Sequence, residues 1–384
     1  MKGDILPKIV VIHPQAGIDW KDNSAIFAVE LARRLDNYFE VELLCGAECG
    51  SFSRPINSLA RGNVDVPNSF VSKIADRWFR LPKMAIEQIT NFVPYVTYLS
   101  NNPADLLLPQ SYAGLLMANY VRAIKSTPIL FTEHHNFLDR QKSLKCHLAL
   151  KPDRLIALNP VVAQHLHSLA PQQIIDLIPF GIDPTEFTPE GKAIATGLAQ
   201  PNIITVANLN RCSNQRIELT IEAVARLPQA SLLICGEGKD WDYFQALGDR
   251  LLGRERFQIR SFAYAQMPQV YRSANVFTSA AVREPYGLKY IEAMACGLPV
   301  VTTDDPIHRY LVGNGGITCD VTNIDLYTES LQLALEKQWY REQPRQNALR
   351  FSWIGITLLY YQAALKTMAI SDFQFDSIGN PFIR

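Results

Sequence analysis

The sequence predicts an α/β protein made of two doubly wound parallel-sheet domains, and three observations carry that prediction. At 384 residues the chain is longer than a single hydrophobic core usually organises. Short apolar runs, each followed by a loop and a helix-spaced segment, form two series. One opens with K-I-V-V-I-H at 8–13, the other with I-I-T-V-A at 203–207. Between the series, residues 184–201 carry Pro184, Pro189, Gly191, Gly197 and Pro201 and read as a linker.

The first series begins with a strand at Lys8–His13, a loop over Pro14–Asn23 and a helix at Ser24–Leu35 capped by Ser24 or Asn23. Glu40–Leu44 is the second strand. Residues 46–102 read as irregular. Within them a basic, aromatic segment places Lys73, Arg77, Arg80 and Lys83 beside Trp78 and Phe79. Such a segment suits the surface of an anionic membrane, and the competing reading is a solvated helix over an acceptor site. Alternation returns with a strand at Asp105–Leu108, a helix at Tyr112–Ala123 and a strand at Pro128–Thr132. Thr132-Glu133-His134 closes that strand at its carboxyl end, where open α/β sheets place ligands. His134 is therefore a candidate, with His135 beside it. Lys151–Leu158 and a helix running through Ser168 complete the series.

In the second series Arg216–Leu227 reads as helix and Ser231–Cys235 as strand, leading into the turn Gly236-Glu237-Gly238. Trp241–Leu252 is helix, Phe257–Arg260 strand, Met267–Arg272 helix and Asn275–Thr278 strand. This delivers the chain to S-A-A-V-R-E-P-Y-G-L-K-Y-I-E-A-M-A-C-G-L-P-V-V at 279–301. Gly287 allows a close backbone approach; Leu288, Ile291, Met294 and Ala295 recur at helical spacing, and Gly297 stops the helix before a strand at Leu298–Thr302. The amides at this helix's N-terminus form an anion site suited to a diphosphate. Glu284 before that end and Glu292 inside the helix can hold hydroxyls on either side, the geometry of a nucleotide-sugar site. Beyond it come Asp304–Val312, a turn at Gly313–Gly316, and helices over Asp325–Leu335 and Tyr340–Met368.

Composition narrows the function. Lys plus Arg and Asp plus Glu each total 37, a formal net charge of zero that does not ask for nucleic acid or an acidic partner in bulk. The 7 cysteines lack C-x-x-C pairing, and Cys45 and Cys235 fall in apolar runs, the pattern of reduced core thiols in a cytoplasmic protein. No His/Cys cluster has zinc spacing and no alternating Asp-x-Asp ends a strand, so no metal and no cofactor is expected. M-K-G-D-I-L-P-K runs into the first strand with no apolar signal core, so no secretory leader is expected, and no run reaches the roughly 18 apolar residues of a spanning helix.

The 279–301 stretch resembles the E-P-F-G-L-x-x-x-E-A-M-A-x-G-x-P-V-V signature of the retaining glycosyltransferases of family 4, the glycogen-synthase-like group. That family has two Rossmann-like domains facing each other across a cleft, the B-type glycosyltransferase fold. The resemblance implies that Glu284 contacts the donor sugar and Glu292 the nucleotide ribose, with Tyr286, Gly287 and Leu288 lining the donor. T-E-H at 132–134 is similar to the family's T-x-H, whose His sits beside the donor sugar, so the resemblance gives His134 a catalytic role beside Glu284. Gly236 follows a second-domain strand, where the family's G-x-G turn lies near the nucleotide. I-P-F-G-I-D at 178–183 is similar to I-P-N-G-V-D, with Phe180 in place of Asn, and F-S-W at 351–353 resembles the family's closing segment. The implied division is an acceptor domain over 1–190, a donor domain over 191–352, and a tail over 353–384 returning to the first domain.

Two departures qualify the resemblance. Where the family has a Gly-Gly pair after its first strand, this chain has Gly17 followed by I-D-W-K-D-N, leaving Gly17 as the one candidate for the donor phosphate there. Where the family holds the diphosphate with the Arg and Lys of G-R-L-x-x-x-K-G, this chain has Asn208 and Ser213, neither a cation. Losing one preorganised donor to a developing anion costs about 2.7–4 kcal/mol, more than the 0.3–1 kcal/mol typical of a helix terminus. Arg211, or else Arg216, is the expected substitute. The expected function is transfer of a sugar from a nucleotide-activated donor to a carbohydrate, lipid-linked or small-molecule acceptor. The alternative is a non-catalytic nucleotide-sugar-binding relative. An epimerase or phosphorylase on the same fold lacks its signature residues here.

Overall fold

The structure is a computed structural model. It describes residues 6–18, 22–56, 83–134, 141–211, 213–284, 286–337, 339 and 342–369. The basic, aromatic segment from Lys73 to Arg80, together with His135, lies outside the described residues. The chain forms two compact units. The first holds the described residues up to Leu158, Val162–Ile178 and those from Thr357 onward; the second holds Asn159–Val161 and Pro179–Ile356.

In the first unit, β1 (Lys8–His13) pairs in parallel with β2 (Glu40–Cys45) on one side and β4 (Leu106–Pro109) on the other, and β3 (Ser53–Pro55) extends the β2 edge. A parallel bridge between Leu107 and Ile129 leads on to β5 (Leu130–Glu133), β6 (Arg154–Ala157) and β7 (Ile175–Leu177). The strand order reverses between β1 and β4, so His13 and Gln110 end up side by side at the carboxyl edge, where ligands of such sheets bind. The helix after β1 spans Asn23–Leu35, with Asp22 accepting from the Ser24 amide as its cap, one residue before the expected caps.

Between residues 46 and 102, the described residues are more regular than the sequence suggested. Besides β3 they contain a nineteen-residue helix, Lys83–Asn101, whose Tyr95, Val96 and Leu99 are buried in the core. Pro94 inside it lacks an amide and reads in sequence as a helix breaker.

The second unit is a six-stranded parallel sheet in the order β10-β9-β8-β11-β12-β13: Phe257–Arg260, Ser231–Cys235, Asn202–Val206, Val276–Ser279, Val300–Thr303 and Gly316–Cys319. One apolar cluster packs on each face. Helices follow β8 (Ile217–Ala225), β9 (Trp241–Leu251) and β11 (Leu288–Ala295). Residues 184–201 form neither helix nor strand, and their Phe187 and Leu198 are buried in this unit's core. Two expectations are corrected. Gly316 is not only a turn residue but opens β13, a four-residue strand that follows directly on the glycine turn. The long terminal helix is two helices, Glu342–Leu349 and Trp353–Thr367. They are separated because Ile182 takes Phe351 and Trp353 as a strand-like partner, its amide donating to the Phe351 carbonyl at 2.8 Å and its carbonyl accepting from Trp353 at 2.9 Å. Among the described residues no helix is long and apolar enough to cross a membrane.

Candidate functional site

The second unit's strand order reverses between β8 and β11, and the loops leaving these two strands are laced together. The Val282 amide donates to the Asn214 carbonyl at 3.0 Å, and Asn214 Nδ2 donates to the Val282 carbonyl at 2.9 Å. Arg216 and Arg283, on the two loops, adopt φ of 48° and 59°, a conformation non-glycine residues seldom take and one that clusters at ligand sites. Gly287 has φ of 66° and turns the chain into the Leu288–Ala295 helix; a Cβ there would lie 2.2 Å from Leu311 Cδ1.

This turn sets Glu284 beside the helix start. Glu284 Oε1 accepts from Gln215 Nε2 at 2.7 Å and from Lys289 Nζ at 3.1 Å. Lys289 Nζ also donates to Gln215 Oε1 at 2.8 Å and approaches the carbonyl of Val206, the last residue of β8, at 3.4 Å. Both side chains are largely buried, 12% exposed for Lys289 and 13% for Glu284. Burial lowers the lysine's pKa, against the opposing pull of Glu284. Neither Lys289 nor Gln215 was singled out by the sequence. Lys289 falls on the helix between two apolar positions, and its side chain folds back to β8 rather than into solvent.

Glu292 lies on the buried face of the same helix, 5% exposed. Tyr264 donates its hydroxyl to Oε1 at 2.9 Å and Tyr271 donates to Oε2 at 2.8 Å. Burial raises the carboxyl's pKa, and the two hydroxyls act to hold it down. Burial and the adjacent carboxylate raise that of Tyr271 well above the ordinary phenol range. Glu284 and Glu292 thus flank the helix start in different settings, one tied to a cation and one to two phenols. The Tyr286 ring packs on Phe180 at 4.6 Å, so the aromatic at the position of the family's Asn has a partner from the signature itself.

The loop after β8 is pinned to the turn after β9: the Leu209 amide donates to the Glu237 carbonyl at 2.8 Å and the Asp240 amide to the Leu209 carbonyl at 3.0 Å. Gly236 allows this closeness, since a Cβ there would meet the Ala207 carbonyl oxygen at 1.8 Å. The two arginines expected to replace the missing cations have other contacts. Arg211 stacks its guanidinium over the Tyr243 ring at 3.9 Å, and its amide donates to Asp240 Oδ2 at 2.8 Å. Arg216 donates to the Ala280 carbonyl at 2.7 Å and to Thr303 Oγ1 at 3.1 Å, tying β11 to β12.

The first unit carries its own polar cluster at the carboxyl ends of β1, β4 and β5. His134 Nε2 lies 2.9 Å from Gln110 Oε1, and Gln110 Nε2 donates to Thr132 Oγ1 at 3.0 Å. Thr132 Oγ1 lies 2.9 Å from the Tyr360 hydroxyl, and Phe27 sets its edge against the His134 ring. Because the Gln110 amide nitrogen is engaged with Thr132, its oxygen is the acceptor and His134 Nε2 the donor. Glu133 beside it pairs with His147 Nδ1 at 2.5 Å, both fully buried. Nearby, His13 Nε2 lies 3.0 Å from Ser24 Oγ, and burial lowers the His13 pKa to about 4 despite Asp22. Gly17 takes φ of 78° in the turn after β1, against the Ala47 backbone. Gln110, His13 and the Glu133–His147 pair were not legible as site residues, since a lone Gln or His at a strand end carries no spacing signal. Among the described residues no group of three or more His, Cys, Asp or Glu is placed to hold a metal ion.

Residues 192–351 match the family model of glycosyl transferases, group 1. D-inositol 3-phosphate glycosyltransferase of Mycobacterium sp. (strain KMS) is 32% identical over 160 residues, 39% of this chain and 36% of that protein. The O-antigen chain mannosyltransferase B of Escherichia coli is 29% identical over 147 residues, 36% of this chain and 37% of that protein. The matched segment thus spans about a third of the length of these curated relatives. Over the whole chain, sucrose-phosphate synthase from Thermosynechococcus elongatus superposes with a TM-score of 0.74 at 18% identity, covering 95% of this chain and 100% of that one. Anabaena HepE, solved in complex with UDP and glucose, superposes with a TM-score of 0.68 at 15% identity, covering 93% and 99%. The fold is that of the B-type glycosyltransferases.

Proposed function

We propose, on the premise that residues 192–351 are a group 1 glycosyl transferase domain, that this chain is a retaining glycosyltransferase. It would move a sugar from a nucleotide-activated donor to an acceptor hydroxyl. The observation that carries this reading is the placing of two carboxylates at one helix where the strand order of the second unit reverses, the largely buried Glu284 just before the helix start and the buried Glu292 within it. The amides at the start of the Leu288–Ala295 helix favour the diphosphate, whose negative charge grows as the glycosidic bond breaks. Glu292 accepts from the ribose hydroxyls and Glu284 from those of the sugar. Retention means that the acceptor hydroxyl attacks the oxocarbenium-like centre from the face the diphosphate leaves. In this reading the first unit carries the acceptor, and the role of His134 toward the transferred sugar is the one that the resemblance implies. The reading requires no divalent ion.

UDP and UDP-glucose are the first probes, because both occur bound in structures of Anabaena HepE, which shares this fold. Purified protein is incubated with UDP-, GDP- and ADP-sugars, with and without EDTA, and release of nucleoside diphosphate is followed by mass spectrometry. Release that survives EDTA and falls at least tenfold in Glu284→Gln supports the proposal. Binding of a nucleotide sugar without release, across a panel of sugar, lipid-linked and small-molecule acceptors, would leave a binding protein instead. A β-anomeric product from an α-linked donor would overturn retention.

A further inference from the structure

We propose that Lys289 is the cation that meets the donor diphosphate, and that Glu284 holds it in place until the diphosphate arrives. The proposal rests on the nucleotide-sugar reading above and names a residue for its charge chemistry. Three observations lead to it.

The first is position. Lys289 Nζ reaches within 3.4 Å of the carbonyl that ends β8 and 3.1 Å of Glu284, which follows β11. It therefore sits between the two neighbouring strands at which the sheet order reverses, the place where α/β sheets collect anionic ligands.

The second is electrostatics. The ammonium sits on the second residue of a helix whose first turn has no acidic side chain. A positive charge there adds to the positive end of the helix dipole rather than cancelling it. Burial makes the arrangement costlier still. One carboxylate balances the lysine, and the helix terminus keeps its own partial positive charge. A diphosphate, with at least two negative charges, fits this surplus better than the single charge of Glu284.

The third is the engagement of the other cations nearby. Arg216 is fixed to Ala280 and Thr303, and Arg211 lies over Tyr243. Asn208 and Ser213 bring no charge. Of Arg211, Arg216 and Lys289, Lys289 is the one whose partner is a carboxylate that itself has a role toward the substrate. When the diphosphate takes the ammonium, Glu284 exchanges its ion pair for the sugar hydroxyls. Donor binding and the freeing of Glu284 are then one event.

Calorimetry with UDP, GDP and ADP, with inorganic pyrophosphate as a base-free probe, tests this on wild type, Lys289→Met, Lys289→Arg and Glu284→Gln. Lys289→Met should weaken the diphosphate that wild type binds by roughly 10- to 100-fold, weaken pyrophosphate in parallel, and leave the parent nucleoside unchanged. Lys289→Arg should keep most of the affinity. Glu284→Gln removes the competitor for the ammonium and should tighten the same diphosphate several-fold, although sugar transfer is lost. A merely structural ion pair would weaken binding in both Lys289→Met and Glu284→Gln, so this opposite pair of signs separates the two roles. Unchanged diphosphate affinity in Lys289→Met, or weaker binding in Glu284→Gln with the fold intact by circular dichroism, would overturn the proposal alone. Absence of any nucleoside diphosphate binding by wild type would overturn the nucleotide-sugar reading, and the role of Lys289 with it.

Discussion

Tyr271 donates its hydroxyl to Oε2 of Glu292 at 2.8 Å from a fully buried position, whereas Tyr264, which donates to the other oxygen at 2.9 Å, is 60% exposed. The two phenols satisfy one carboxylate but differ in how readily they can leave. Tyr271 sits in the core between Phe187 and Phe277, while Tyr264 rides on the short 3₁₀ turn Tyr264–Gln266. If Glu292 takes a nucleotide ribose as proposed, the ribose would displace Tyr264 and keep Tyr271.

Glu292→Ala is therefore expected to weaken the free nucleoside diphosphate by roughly 10- to 100-fold, the scale of hydrogen bonds to a charged acceptor. Tyr271→Phe should weaken it as well, since a buried carboxylate with one donor fewer resists ionisation. Tyr264→Phe, which removes a competitor, should leave affinity equal or tighter. Calorimetry on the three variants checks the order; unchanged affinity in Glu292→Ala would remove this residue from the site.

His134 hangs on a chain of polar groups, Gln110, Thr132 and Tyr360, that fixes the direction of its Nε2–H. If it acts on the transferred sugar in the transition state, His134→Ala should lower kcat about 10²-fold with little change in donor KM. Gln110→Leu, which frees the ring to rotate, should reproduce part of that loss. Wild-type kinetics in His134→Ala would make the residue a part of the packing only.

The signature helix was readable because its chemistry and its periodicity coincide: Gly287, Leu288, Ile291 and Glu292 fix both where the helix starts and which carboxylate it buries. The six-stranded sheet was readable nearly strand by strand, since strands buried on both faces are continuous apolar runs. What stayed hidden depends on tertiary contact. The Lys83–Asn101 helix carries Pro94, which in sequence reads as a break that only the tertiary packing overrides. The break before Trp353 exists because Ile182, some 170 positions earlier, takes up the backbone there. Lys289 shows the same limit at the site. One residue after Leu288, it reads as a surface lysine until the fold brings Val206 and Gln215 to its ammonium.

His13 gives the protein an acid-sensitive element. Its pKa is lowered from 6.5 to about 4 by burial, with Asp22 opposing. Below pH 6.5 the unfolded chain takes up a proton that the native imidazole refuses, so native stability falls as pH drops from 6.5 towards 4. The loss is complete below that and amounts to about 3 kcal/mol at most. Urea midpoints across this window should fall less steeply for His13→Gln than for wild type. Parallel curves for the two proteins would exclude this residue as the source.

Asn208 and Ser213 allow the charge argument to be run in reverse. They stand where the family carries Arg and Lys, in the loop between β8 and the Ile217–Ala225 helix. With Lys289 serving the diphosphate, Arg211→Ala should change diphosphate affinity by less than about twofold, well under the worth of a charge-assisted hydrogen bond. Arg211 stacks on Tyr243, a contact whose loss is not expected to reach the diphosphate. Asn208→Arg with Ser213→Lys should add little in the wild-type background, because the added charges crowd an ammonium already there. In the Lys289→Met background the same pair should restore roughly 10- to 100-fold of the lost affinity, since a single productive cation contributes about 1.5–3 kcal/mol. The background dependence is the decisive quantity, because two residues serving one charge are non-additive. Equal gains in both backgrounds would mean that the loop and Lys289 meet different groups. No gain in either would mean that the diphosphate does not approach this loop.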